Sequence, residues 1–136
     1  MDMAQHPTAA DRLRDAGLRP TRQRLALAHL LFDAGDRHIT AEILHTEVLA
    51  TGMRVSLATV YNTLHQFTEV GLLREIVVEA GRSYFDTNTS VHHHFFHERT
   101  GKLSDIPGQQ IPIGTLPEAP DGTRIKSVDV IVRLDD

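Results

Sequence analysis

The apolar residues of this chain change their spacing once, and that change dictates a two-part fold. From Thr8 to Val70 they recur with a helical period, and from Leu72 onward they alternate. Thr8 followed by Asp11 has the form of a capping box, and Gly17 stops a first short helix. Pro20-Thr21 opens a second, with Leu27, Leu30, Leu31 and Ala34 on one face and Gly35 as terminator. Thr40 caps a third that carries Leu44 and Val48 and ends at Gly52; Ser56 caps a fourth that runs to Val70 before Gly71. Leu72–Glu79 and Arg82–Thr87 then read as two strands joined at Ala80-Gly81. Helices followed by a β-hairpin make a winged helix-turn-helix, with the third and fourth helices as the pair and the hairpin as the wing. The expected class is α+β: an N-terminal winged helix-turn-helix followed by a small β-rich dimerisation domain.

The expected boundaries are a DNA-binding domain over 1–87, a hinge at 88–91, and a β-rich dimerisation and sensing domain over 92–136. Thr87-Asn88-Thr89-Ser90 is a polar linker, Val91–Glu98 a strand, and Gly101 the start of a hairpin return through Leu103 and Ile106. Residues 107–122 hold Pro107, Pro112, Pro117 and Pro120, which leaves no room for a long helix. Ile125, Val128, Val130, Val132 and Leu134 mark a final strand. Three strands bury too little surface to stand alone, and pairing with a second copy of the chain is the expected remedy. A two-fold homodimer, or a higher oligomer built from it, would present two recognition helices to a palindromic site.

Charge distribution points to the partner. The formal net charge is −4, yet Arg12, Arg14, Arg19, Arg22 and Arg24 face only Asp15 within their own stretch. A local basic stripe is what phosphate contacts require. On the fourth helix, Leu57, Val60, Leu64 and Phe67 share the face that must pack on the core. Ala58, Thr59, Asn62, His65 and Gln66 lie opposite, with Tyr61 on the flank, and no acid occurs between Ser56 and Thr68. Asn can bond adenine bidentately, Tyr or Thr can pack on a thymine methyl, and Ser56 with Thr59 can hold a phosphate at the helix start. The candidate DNA-binding residues are therefore Arg19, Arg22, Arg24, Ser56, Thr59, Tyr61, Asn62 and Thr63, with double-stranded DNA as the partner.

The absence of cysteine excludes a disulfide framework, a Cys-type structural zinc site, an iron–sulfur cluster and a thiol nucleophile. Nine histidines remain, and His92, His93, His94 and His97 fall within six residues. On a strand, His92 and His94 point one way and His93 the other. Two imidazoles joined by a carboxylate make the nitrogen/oxygen set preferred by Fe(II), Mn(II) or Zn(II). Asp86 is the nearest candidate acid and Glu98 another, and His38 could close the site from the DNA-binding side. His6, His29, His45 and His65 are scattered and read as solvated or packed side chains. No apolar run is long enough to cross a membrane, and Met1–Ala10 lacks the build of an export signal, so the expected compartment is the cytoplasm.

At these residues the chain resembles the ferric uptake regulator family. The resemblance is carried by Ala16-Gly17-Leu18-Arg19-Pro20-Thr21-Arg22-Gln23-Arg24, by Thr40-Ala41-Glu42, and above all by Ser56-Leu57-Ala58-Thr59-Val60-Tyr61-Asn62-Thr63-Leu64 with Gly71-Leu72-Leu73. Tyr84-Phe85-Asp86-Thr87-Asn88, His92-His93-His94-Phe95-Phe96 and Val128–Leu134 look most like its iron response regulator branch. The resemblance implies a dimeric winged-helix regulator, mainly a repressor, on AT-rich palindromic operators in the bacterial nucleoid. It implies a base-contacting role for Tyr61 and a minor-groove role for Arg19. It also implies a metal site of His38, Asp86, His92 and His94, with Asp86 in place of the family's usual Glu. His92, His93 and His94 would sense haem or iron, with His97 and Glu98 as further ligands; His97 and Thr100 stand where most members keep the first Cys pair of a structural zinc site. The branch implies DNA binding under iron limitation and release by haem or iron, and any haem here would be His-ligated.

Two alternatives sit within the metal theme: a regulator for which a divalent metal (Mn, Fe or Zn) is the corepressor, and a metal carrier with no DNA role. A metal-dependent hydrolase would need an enclosed pocket and a general base, for which three short strands and a loop are poor material. An enzyme is not expected.

Overall fold

A computed structural model of the protein describes residues 7–135, so His6 lies outside the described residues. The chain divides between Thr89 and Ser90 into two compact units.

The first unit contains helices α1 (Ala9–Asp15), α2 (Arg22–Phe32), α3 (Ala41–Ala50) and α4 (Leu57–Glu69), and strands β1 (His38–Ile39), β2 (Arg74–Glu79) and β3 (Arg82–Asp86). Each helix begins at a hydroxyl. Thr8, Thr21, Thr40 and Ser56 accept from the backbone N–H three residues on, and Thr8 with Asp11 closes a reciprocal capping box. That hydrogen bonding holds the Asp11 carboxyl below its usual pKa. Gly17 and Gly71, at φ 83° and 84°, end α1 and α4 in the left-handed region that glycine adopts without strain. Leu13, Leu27, Leu31, Leu44, Val48, Val60, Leu64, Phe67 and Phe85 bury their side chains in one core, with Leu57 packed at its edge. The second helix is shorter than its apolar spacing implies: it ends at Phe32, and Ala34 lies exposed beyond the Asp33 cap.

Strand β1 was not legible in the sequence, where residues 38–39 read as a connection. It pairs antiparallel with β3, which also pairs with β2, so the wing is a three-stranded sheet in the order β1-β3-β2. The β1–β3 register sets His38 opposite Asp86.

The second unit contains β4 (His92–His97), β5 (Lys102–Pro107), a 3-10 turn at Gly108–Gln110, and β6 (Ile131–Leu134). The sheet order is β5-β4-β6. β4 and β5 form an antiparallel hairpin, and β6 runs parallel to β4. The last strand is shorter than its alternation suggests. Its ladder begins where the Val130 carbonyl accepts from the His94 N–H, and Ile125 and Val128 lie exposed ahead of it. Among the described residues of this unit, the buried side chains apart from the histidines are Phe96, Leu103 and Ile106, and the Arg133 guanidinium stacks over the Phe96 ring at 5.7 Å. No helix among the described residues is long and apolar enough to cross a membrane.

Candidate metal centre and nucleic-acid interface

The metal-ligating candidates occur as a pair in the first unit and a triad in the second. In the wing sheet, His38 Nε2 lies 3.1 Å from Asp86 Oδ2, and Asp86 is 1% exposed. The other Asp86 oxygen, Oδ1, accepts from the Asn88 N–H at 2.9 Å. A buried carboxylate anchored by one oxygen and facing an imidazole with the other is the support that metal-ligating groups need.

In the second unit, alternation along β4 turns His92 and His94 to one face, with ring centroids 4.6 Å apart. Both are buried, His94 completely. The hairpin register sets Asp105 opposite His94, and its Oδ1 lies 3.3 Å from His92 Nε2 and 3.5 Å from His94 Nε2. His92 Nδ1 donates to the Ser90 carbonyl at 2.6 Å, which leaves Nε2 as the lone-pair nitrogen of the neutral ring. A buried imidazole lone pair facing a carboxylate oxygen leaves room between them for a shared cation. The donor set therefore fits a borderline divalent ion such as Mn(II), Fe(II) or Zn(II). Asp105 did not stand out in the sequence. Counting the hairpin through Arg99-Thr100-Gly101 would have found it, because opposite partners on antiparallel strands share a face.

The remaining histidine-run residues are placed elsewhere. His93 points to the other face of β4, where its Nδ1 accepts from the Val130 N–H at 3.2 Å. His97 shares that face, with Nε2 at 3.1 Å from Ser104 Oγ. Glu98 pairs with Arg133 at 3.6 Å at the half-exposed edge of the sheet. His97 and Glu98 are thus not brought to the face that carries His92, His94 and Asp105. Of the scattered histidines, His29 pairs with Asp33, His45 meets the Val55 carbonyl, and His65 lies beside Glu75. The porphyrin fit is poor: an axial imidazole needs an open face, and His92, His93 and His94 are 4%, 2% and 0% exposed.

The DNA-binding candidates sort into three places in the first unit. A groove of about 430 Å³ between the start of α2 and the face of α4 is lined by Arg19, Thr21, Gln23, Arg24, Thr59, Asn62, Thr63 and Gln66. Arg24 is partly committed to scaffolding there, donating to the Arg19 carbonyl at 3.0 Å and to Gln66 Oε1 at 3.3 Å. Thr63 is 6% exposed and donates to the Thr59 carbonyl, so it contributes its edge and not a free hydroxyl. Arg22 lines a second notch of about 280 Å³ with Gln23, Gly52, Met53 and Arg54. Arg54 went unnoticed in the sequence because it is a lone cation in the α3–α4 connection. Ser56 and Thr59 bond each other through their hydroxyls at the start of α4. Tyr61 stands apart from both grooves, donating to Glu42 Oε2 at 3.2 Å. The stripe of five arginines is not one surface, since Arg12 stacks over Phe32 at 5.2 Å.

Comparison with known proteins adds to this geometry. The model of the ferric uptake regulator family matches residues 15–132. The peroxide-responsive repressor PerR of Staphylococcus aureus is 34% identical over 99 residues, which are 73% of this chain and 66% of that protein. The chain thus spans just under two thirds of the curated relatives it matches first. Among solved structures, the ferric uptake regulator of Vibrio cholerae superposes with a TM-score of 0.71 at 23% identity, covering 93% of this chain and 98% of that one. That of Pseudomonas aeruginosa, solved with manganese, superposes with a TM-score of 0.69 at 24% identity, covering 92% and 95%. A zinc-bound manganese uptake regulator follows at 0.65 and 22% identity, covering 93% and 96%. At those identities the structures speak for the shared α+β fold, and the named relatives are regulators and repressors, not enzymes. With the family model spanning most of its length and a curated relative above 30% identity, the chain belongs to the ferric uptake regulator family.

Proposed function

We propose that this protein is a metal-responsive transcription regulator, mainly a repressor, that binds palindromic AT-rich operators on bacterial DNA as a homodimer. The observation that carries the reading is the convergence of two buried imidazoles, His92 and His94, with the partly exposed carboxylate of Asp105, in a chain whose other unit presents an acid-free helix face beside a groove lined with arginine. His38 and Asp86 are the further ligands in this reading. The ion would supply positive charge and a fixed coordination geometry. The protein residues hold their lone pairs in place through Ser90 and Asn88. Moving a two-state equilibrium decisively takes about 5 kcal/mol of differential binding, within reach of several metal–ligand bonds.

The sign of the response rests on the resemblance to the iron response regulator branch: DNA held under iron limitation and released when iron is present, with iron itself favoured over haem by the burial of His92, His93 and His94. The test is fluorescence anisotropy of a labelled AT-rich palindrome at fixed salt, without ligand and then with Mn(II), Fe(II) or haem. Tight binding by the metal-free protein that iron or haem reverses supports that sign. Binding only after metal addition assigns a corepressor-type regulator instead. No binding under any condition sinks the regulator reading and leaves a metal carrier. Replacing His92, His93 and His94 together with Ala should abolish the response; a variant that still responds removes this run as the sensor.

A second reading, response to peroxide, is favoured by the similarity to a repressor of that name. Peroxide should change DNA affinity of the Fe(II)-loaded protein and leave the Zn(II)-loaded protein unmoved, because only iron is oxidised.

A further inference from the structure

The reading surface contains a carboxylate that neither the core nor the metal chemistry requires. Glu42, exposed in the first turn of α3, accepts the Tyr61 hydroxyl proton at 3.2 Å. Below Tyr61 on α4, the His65 ring stacks with it at 6.2 Å and 19°. His65 meets Phe85 edge-on at 5.6 Å and has Glu75 at 4.0 Å from its Nδ1. Partial burial, and then the Glu42 charge, push the Tyr61 pKa above its ordinary value, so the phenol keeps its proton and remains a donor to Glu42.

Two physical consequences follow. With its hydroxyl engaged, Tyr61 offers its ring, an apolar surface suited to a thymine methyl. Glu42 also places a negative charge beside a helix that carries no acid between Ser56 and Thr68, and there it repels every phosphate backbone alike. A surface hydrogen bond adds little to stability, and the helix dipole, which favours an acid in the first turn of α3, does not account for its bond to Tyr61. Discrimination does, because specificity is a difference of affinities and gains from an element that weakens all binding while sharpening one contact.

We propose that Glu42 is a positioning residue for DNA recognition, fixing the Tyr61 ring through its acceptor oxygen while its charge lowers affinity for all DNA. This rests on the reading that α4 enters the DNA groove. The test uses the full chain and two labelled duplexes, one selected on the wild-type protein from a random pool and one scrambled. Glu42→Gln keeps an acceptor and removes the charge: both duplexes should bind more tightly by a similar factor, with the ratio between them kept. Glu42→Ala removes both, and the ratio should fall about tenfold, the size of one lost base contact. Tyr61→Phe should lower the ratio similarly, and the double variant should be no worse than either single one. Thermal melts of all four proteins should coincide within a few degrees. A Glu42→Ala ratio within twofold of wild type, or additive losses in the double variant, overturns the proposal. Asn62→Glu separates the underlying reading: if it leaves DNA binding intact, α4 is not the recognition helix, whereas if it abolishes binding while Glu42→Ala changes nothing, only the role of Glu42 fails.

Discussion

The two units fill their interiors with different kinds of side chain. The first buries a continuous set of Leu, Val, Ile and Phe from four helices and a wing sheet. The second buries three apolar residues, Phe96, Leu103 and Ile106, and three imidazoles, His92, His93 and His94. Apolar burial is indifferent to pH and to ions, whereas a buried imidazole is favourable only while its nitrogens are satisfied. Apart from Asp86, its one buried carboxylate among the described residues, the first unit is thus built to hold a shape, and the second to hold its own conditionally.

That contrast can be broken most directly in the first unit. Phe67→Ala removes a fully buried ring and should lower stability by about 3–5 kcal/mol, read from the urea midpoint. Metal addition should not rescue it. The second unit should respond to metal instead: Mn(II) or Zn(II) at a hundredfold excess over its dissociation constant should stabilise the wild type by about 2.7 kcal/mol. His94→Ala should abolish that gain; if the gain persists, the conditional character of this unit is not owed to its imidazoles.

A backbone test comes next. A Cβ on Gly108 would lie 2.7 Å from the Val91 carbonyl oxygen, a contact with backbone that cannot swing aside. Gly108→Ala should cost about 1–3 kcal/mol, and amide hydrogen exchange should speed up in β4 and β5 while α2 to α4 keep their protection.

The smallest effect lies on the first unit's surface. Arg37 holds Glu47 by two hydrogen bonds at 2.9 and 2.7 Å and also donates to the Leu30 carbonyl. Hydrogen bonding from Arg37 lowers the Glu47 pKa below its ordinary 4.5. A lowered acid pKa means the native state binds its proton less readily than the unfolded state. Its stabilisation is therefore complete above pH 4.5 and is lost as the pH falls through the lowered native value. Glu47→Gln should cost about 1 kcal/mol at pH 7 and flatten the stability profile over that acid range.

How much of this was legible in the sequence follows the same division. Helix starts were readable because Thr8, Thr21, Thr40 and Ser56 act within three residues of themselves. The histidine alternation was readable because a strand has a period of two. What escaped depended on pairing between distant segments. β1 exists because residues 38–39 meet β3, and nothing local in His38-Ile39 marks a strand. Asp105 joins His92 and His94 through hairpin register, while its own neighbours make it an ordinary exposed acid. The arginine stripe failed in the opposite direction, since local spacing grouped side chains that packing sends apart, Arg12 to Phe32 and Arg24 to Gln66.

The parallel partner of the histidine strand carries a kinetic consequence. In the first unit, successive helices and the β2–β3 hairpin find their neighbours close by in sequence, which favours their early assembly, and only the two-residue β1 waits for a distant partner in β3. β4 finds one partner in the adjacent hairpin strand but the other, β6, only some 37 residues further on. On the ribosome the helices and wing can close while β6 is still unmade. A nascent chain would then carry its helical unit before its histidine-lined one, and truncation before Ile131 should leave the former folded with the latter lacking a strand.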